Sequence, residues 1–124
     1  MKTRLIIMLA IALTGCASIP PPLSERLGPP PPDIRTQCDT LLRQELRNYQ
    51  TAHITWLGVR QVQWRDGLVM GGALHRAWCQ EVEINAQNGF GGFTGNHIRY
   101  IALEPSGVLT DVTDSVEANA AVVY

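Results

Sequence analysis

Apolar residues recur at Ile34, Cys38, Leu41, Leu42, Leu46 and Tyr49. This is the three-and-four spacing of one helix face, and Arg35, Arg43, Gln44 and Arg47 fall elsewhere on the cylinder. Asp33 directly follows a proline run and suits the cap position. The period then changes. Ile54, Trp56, Val62 and Trp64 share one parity, interrupted at Gly58-Val59, as in a half-buried strand. Leu68, Met70, Leu74, Trp78, Val82 and Ile84 share a second, with a break at Gly71-Gly72. Residues 98–103 and 108–112 predict two shorter strands. Turn chemistry separates the runs: Asp66-Gly67 and Asn88-Gly89 are tight-turn dipeptides, and Glu104-Pro105-Ser106-Gly107 places proline in the second turn position. The tail from Ser115 lacks such a pattern and is expected to be loosely ordered. The pattern as a whole predicts an α+β domain, with one N-terminal helix packed on a small antiparallel β-meander sheet.

The first residues follow different rules. Lys2 and Arg4 precede an apolar run from Leu5 to Leu13, which is too short to span a bilayer but has the length of a signal-peptide core. It ends in Leu13-Thr14-Gly15-Cys16. This run resembles the lipobox of bacterial lipoproteins, where cleavage falls just before the cysteine. The resemblance implies a lipidated Cys16 carrying a diacylglyceryl group and an acyl chain, with membrane as the first partner. One acyl chain binds a bilayer marginally and several hold firmly. The alternative is a short uncleaved anchor. The Asp that follows the cysteine in inner-membrane members is replaced here by Ala17, so the resemblance implies the outer membrane, with the domain facing the periplasm. Residues 17–33 hold seven prolines and read as a semi-rigid polyproline spacer. The expected organisation is therefore a signal peptide over 1–15, a lipidated cysteine and Pro-rich tether over 16–33, and one domain over 34–124.

Removing the first 15 of 124 residues leaves 109, which is one domain with a modest core. Eight Arg and all 11 acids remain, and no basic block suggests nucleic acid. Residues 35–76 carry six Arg against three acids, and residues 104–124 carry four acids and no base. Solvated surface is the simpler reading; packing of the acidic tail near the Arg-rich part is the other. With Cys16 lipidated, Cys38 and Cys79 form an even pair, which an oxidising periplasm would join as a disulfide. Such a closure contributes roughly 4 kcal/mol in the chain-entropy treatment. Two buried thiols are the alternative.

Candidate chemistry is sparse. There is no G-x-S-x-G, and neither Ser106 nor Ser115 has a histidine nearby in sequence. Glu81 and Glu83 share a strand parity with His75, which reads more simply as a wet strand face than as an acid–base pair. His53, His75 and His97 are evenly spaced by 22 residues, each opening a His-x-x-aromatic pattern. They are weak candidates for a three-histidine metal site or for a degenerate repeat. No metal and no cofactor is expected.

The stretch Asn-Ala-Gln-Asn-Gly-Phe-Gly-Gly-Phe-Thr-Gly-Asn-His at 85–97 holds four glycines and two phenylalanines and no Asp, Glu, Lys or Arg. Asn85, Ala86, Asn88, Phe90, Gly91, Gly92 and Gly95 resemble an Asn-Ala-Lys-Asn-x-Phe-Gly-Gly-Tyr-x-Gly element of small envelope and phage proteins, with Gln87 in place of the Lys and Phe93 in place of the Tyr. That resemblance brings no activity with it. Asn85 and Asn88 can bond loop backbone groups. A phosphate-cradling loop opens a helix, whereas this one leads into a strand, so a structural connection is favoured over a ligand cradle. At least one of Phe90 and Phe93 is expected to be buried, because burial would offset the entropy of the glycines. The other reading makes Asn85, Asn88, Phe90 and Phe93 a partner-binding loop.

The function these features predict is a non-enzymatic binding or structural module, anchored in the outer membrane, with a periplasmic protein as partner. The alternatives are an immunity or inhibitor lipoprotein acting on a periplasmic toxin or hydrolase, and a small envelope enzyme using His, Glu and a metal.

Overall fold

The computed structural model describes residues 27–67, 69 and 71–124. The signal-peptide segment, Cys16 and the first part of the tether lie outside the described residues. The elements in chain order are helix α1 (Ile34–Glu45), a 3-10 turn (Tyr49–Thr51), strands β1 (His53–Arg65), β2 (Leu74–Asn85), β3 (His97–Leu103) and β4 (Leu109–Asp111), a short helix α2 (Thr113–Glu117) and strand β5 (Ala121–Val123). The five strands form one antiparallel sheet in the order β4-β3-β2-β1-β5. The fold is mixed α+β.

Helix α1 follows the predicted stripe, with Ile34, Cys38 and Leu42 buried. It stops at Glu45, one turn earlier than the apolar spacing implies: Leu46 is already extended and Tyr49 sits in the 3-10 turn, although both still pack on the same core. Asp33 occupies the cap position, but its side chain does not cap. It accepts instead from the Gln37 side-chain amide at 2.8 Å, while its backbone carbonyl takes the Gln37 N–H.

The sheet is covered on both faces, and the strand parities decide which residue belongs to which. The α1 face gathers Val82, Ile84, Ile101 and Leu103 beneath Ile34, Cys38 and Leu42. The opposite face gathers Val62, Trp64, Ala77, Cys79 and Ala102 with Val112 and Ala121. The interruption at Gly58 is a β-bulge: Trp56 pairs with Val82 and Gly58 with Glu81, leaving Leu57 as the extra residue. One inserted residue exchanges the faces. Ile54 and Trp56 therefore pack toward α1 while Val62 and Trp64 pack on the other side, although all four have the same parity in sequence.

This arrangement corrects two expectations. Cys38 and Cys79 are not joined. Both are buried free thiols, and they belong to cores on opposite faces of the sheet. A disulfide needs the two Cβ atoms turned toward each other at close range, but Cys79 points away from the helix that carries Cys38. The tail is also ordered rather than loose. Residues after β4 form α2, and β5 pairs antiparallel with β1 at Val62, Gln63 and Trp64. Val112 and Ala121 are buried there, with Val116 and Val123 packed against them, so four small apolar residues hold a tail whose acids stay outside.

The last residues of the Pro-rich segment lie against the domain. The Trp78 indole N–H donates to the Gly28 carbonyl at 3.0 Å. Leu27, Pro29 and Pro31 line one side of a groove whose floor includes Trp78, Leu103 and Pro105. The chain thus joins the domain near the Trp78–Leu103 rung of the sheet.

Candidate functional site

The loop joining β2 to β3 is built by hydrogen bonds rather than by burial. Asn88 is its hub: the side-chain Oδ1 accepts from the Phe90 N–H at 2.9 Å and the Gly92 N–H at 3.1 Å, and the Asn88 N–H donates to the Gly92 carbonyl at 2.8 Å. Gln87 and Phe93 form an isolated antiparallel bridge across this turn. Asn85 Oδ1 accepts from the Gly95 N–H at 3.1 Å, and the Ala86 carbonyl takes both the N–H and the hydroxyl of Thr94. Gly91 and Gly95 have φ of +82° and +93°, the left-handed region that side-chain-bearing residues disfavour. The Asn roles predicted from sequence are therefore present.

The burial expected for the phenylalanines is not. Phe90 is 100 % exposed and Phe93 is 47 % exposed. The only ring packed against Phe93 among the described residues is that of His53, tilted by 37° with centroids 5.0 Å apart. The reason is that the Asn side chains supply the order a buried aromatic was expected to supply. A firm turn then carries a phenyl ring into solvent. Thr51 on the 3-10 turn braces it by donating to the Gln87 side-chain carbonyl at 3.1 Å, and the Arg47 guanidinium lies close to Gly89.

The loop also has a defined place. It leaves the sheet at the His53–Asn85 rung, and the Pro-rich segment meets the sheet at Trp78. Seven residues of β2 separate the two points, about 23 Å at strand rise. Phe90 is therefore presented at the end of the sheet remote from the N-terminal segment.

The three histidines are not brought together. His53 and His97 flank the same end of β2, opposite Asn85 and Ile84, and so occupy opposite faces. His75 lies ten residues back along β2, about 33 Å away. Among the described residues no three His, Cys, Asp or Glu side chains are grouped to hold a metal ion. His75 has its own surroundings, which the sequence did not suggest. Its ring stacks on Trp64 with centroids 5.0 Å apart, its Nε2 is 2.8 Å from Asp66 Oδ2, and its Nδ1 is 3.8 Å from Glu104 Oε2. Thr110 donates to the other Glu104 oxygen at 2.6 Å. This group clamps the end of β1 and the β3–β4 turn onto β2; no hydroxyl or thiol among the described residues is hydrogen-bonded to the imidazole. Glu81 faces Arg60 at 3.5 Å on the partly wet side of the sheet.

Neither cysteine is poised as a nucleophile. Burial pushes the Cys38 thiol up to about 11, and burial together with the nearby Glu81 carboxylate pushes Cys79 up to about 12. Thiols in this range stay protonated at neutral pH. The most strongly ionic group is structural. Arg99 bridges Glu45 of α1 and Asp111 of β4, tying the helix to the sheet edge. Burial works to raise the Asp111 carboxyl, but hydrogen bonds from Thr113 and the Arg99 guanidinium outweigh it and hold Asp111 below the usual carboxylate range.

No protein-family model matches the chain, and no curated protein or solved structure is found to match it.

Proposed function

We propose that this chain is a lipoprotein anchored in the outer membrane through Cys16, with a non-enzymatic binding module held in the periplasm on the Pro-rich tether. The 86–96 loop is its contact element. The observation that carries this reading is Phe90, fully exposed on a turn held by four Asn88 hydrogen bonds, the Gly91 N–H to the Asn88 carbonyl included. A fully buried Phe contributes about 1.5–3 kcal/mol, and here that contribution is left for a partner to supply. A turn already ordered costs little further entropy on association, and rigid aromatic anchors are the usual centres of protein interfaces. The position of the loop, remote from the tether, suits a partner on the far side of the domain from the lipid. The reading makes no use of His53, His75 or His97.

Two measurements test it. Cys16→Ser should abolish lipidation and remove the chain from the outer-membrane fraction; a variant still in that fraction after a salt wash refutes the anchor. Crosslinking in intact cells should give a discrete adduct that is lost in Phe90→Ala at unchanged melting temperature. An adduct of equal yield in Phe90→Ala refutes the loop's role.

A further inference from the structure

Strand β1 has 13 residues, all but Leu57 matched by β2, yet on its other edge β5 covers only Val62, Gln63 and Trp64. The Tyr124 N–H extends that pairing by one bond, to the Gln61 carbonyl at 2.8 Å. Beyond it, from Arg60 back to His53, no strand of the described residues pairs with this edge. The register identifies the outward groups. Gln61 turns its carbonyl toward β5, so Val59, two residues earlier, turns the same way; across the bulge the alternation places Ile54 and Trp56 on that edge as well. Among the described residues, no backbone or side-chain hydrogen bond outside the β1–β2 ladder engages the backbone of Ile54, Trp56 or Val59.

An open edge is normally blunted by Lys, Pro, inward charge or a bulge. The segment His53–Val59 contains no Lys, Pro, Arg, Asp or Glu; the bulge at Leu57 is its one such device. Its Leu57 is 48 % exposed at the bulge. One arginine beside it has no ion pair among the described residues: the Arg35 guanidinium lies over the Trp56 ring at 5.1 Å. Arg60, at the far end, is already engaged by Glu81 and by the Tyr124 carbonyl.

We propose that this edge is a strand-addition site, and that its occupant is an extended, carboxylate-bearing segment of a partner polypeptide that continues the line of β5 along β1. Main-chain hydrogen bonds to Ile54, Trp56 and Val59 supply the affinity, and side chains alternate between the Trp56–Arg35 side and the His53–Phe93 side. The edge already accepts one strand, β5, which ends where the open stretch begins. A second copy of this chain fits poorly. In a two-fold antiparallel pairing the 3-10 turn of each copy would run into the β5 of the other, and two bulged edges would have to match. A single extended segment can follow the bulge. The site is distinct from the loop at 86–96 and stands whether or not that loop binds.

The test pans a displayed library of random linear peptides against the purified mature lipoprotein in detergent, then characterises an enriched peptide. Binding should protect the Ile54, Trp56 and Val59 amides from hydrogen exchange. N-methylation at alternate peptide residues should weaken binding at least about tenfold, the effect of about 1.4 kcal/mol of lost main-chain bonding. Val59→Pro removes an outward N–H, which edge strands tolerate, and should weaken binding similarly. Should that variant not fold, the N-methyl series and the exchange pattern decide alone. Protection confined to 86–96, affinity unaffected by N-methylation, a panning that enriches no peptide, or concentration-dependent self-association that protects the same three amides each overturn the proposal.

Discussion

Deleting Leu57 removes the bulge without removing any core side chain. Trp56 then joins Gly58 directly, so the rungs Trp56–Val82 and Gly58–Glu81 become consecutive and the ladder closes in register. In a regular strand, residues an odd number of positions apart lie on opposite faces. Without Leu57 this holds for Trp56 and Val62, so Ile54 and Trp56 stay on the α1 face and Val62 and Trp64 on the other. The deletion removes only a side chain already half in solvent, and the expected loss is about 1 kcal/mol or less, the same as for Leu57→Ala. Were the faces exchanged instead, Ile54 and Trp56 would turn to the wet side. Each is about half-buried, so half of the roughly 1.5–3 kcal/mol for a full side chain would be lost at each, about 2 kcal/mol together. Losing the stacking of Arg35 on Trp56 would add about 0.5–1 kcal/mol. Urea unfolding of the two variants beside the parent, followed by tryptophan fluorescence, separates a loss under about 1 kcal/mol from one of about 3 kcal/mol. A deletion costing about 3 kcal/mol while Leu57→Ala costs little would show that the extra residue is not what lets the two halves of β1 serve two faces.

Other expectations follow from particular contacts. Phe90→Ala should leave the melting temperature unchanged, and Phe93→Ala should cost about 0.5–1 kcal/mol through its His53 contact; a loss of several kcal/mol in either would restore the buried-loop reading. Leu42→Ala should cost about 2–5 kcal/mol in the same unfolding assay, since Leu42 is fully buried under α1. Alkylation without reductant should label neither Cys38 nor Cys79 in the native protein and both after denaturation; a denatured chain that resists label would mean the thiols are bonded. Asp111, whose folded-state pKa is depressed, contributes stability that is present above its unfolded value of about 4 and is lost as pH falls through the folded value. Asp111→Asn should therefore be less stable at neutral pH and lose less stability as pH falls below about 4, as read from melting temperatures across that descent.

The helix, the four strand positions and the turn at Glu104–Gly107 could be read from the chain because each depends on local period or turn chemistry, as at Ile34–Leu42. Asp66-Gly67 is not the tight turn its chemistry suggested: β1 ends at Arg65 and β2 begins only at Leu74, and Leu68 and Met70, expected in that strand, lie outside the described residues. Features that depend on counting across the sheet could not be read the same way. The Gly58 interruption was visible, but not that it exchanged the faces. Cys79 did leave a signal: it has the opposite parity to Trp78, Val82 and Ile84, which places it away from the helix, yet pairing by even count of cysteines overrode that parity. The tail lacked a pattern because β5 is only three residues long and is held by β1, a partner remote in sequence. In the candidate site, the asparagine roles followed from side-chain chemistry. The exposure of Phe90 did not, because a polar hub at Asn88 does what an apolar anchor was expected to do. The His75 clamp joins residues from three separated segments, Asp66, His75 and Glu104, and nothing in their spacing announces it.

The separation of Cys38 and Cys79 by the thickness of the sheet bears on how the protein matures. In the unfolded chain the two thiols are free to meet, and any oxidant present can join them. The product would be a covalent form that cannot adopt this sheet, since one bond would have to pass through strand β2 or pull α1 off its face. Folding and oxidation are then competitors. Once α1 has closed over one face and α2 and β5 over the other, burial and the raised thiol pKa values make each sulfur slow to react. A chain delivered unfolded into an oxidising compartment would partition between the two outcomes by rate rather than by equilibrium, and the yield of native protein would rise with anything that shortens the interval before the sheet is covered.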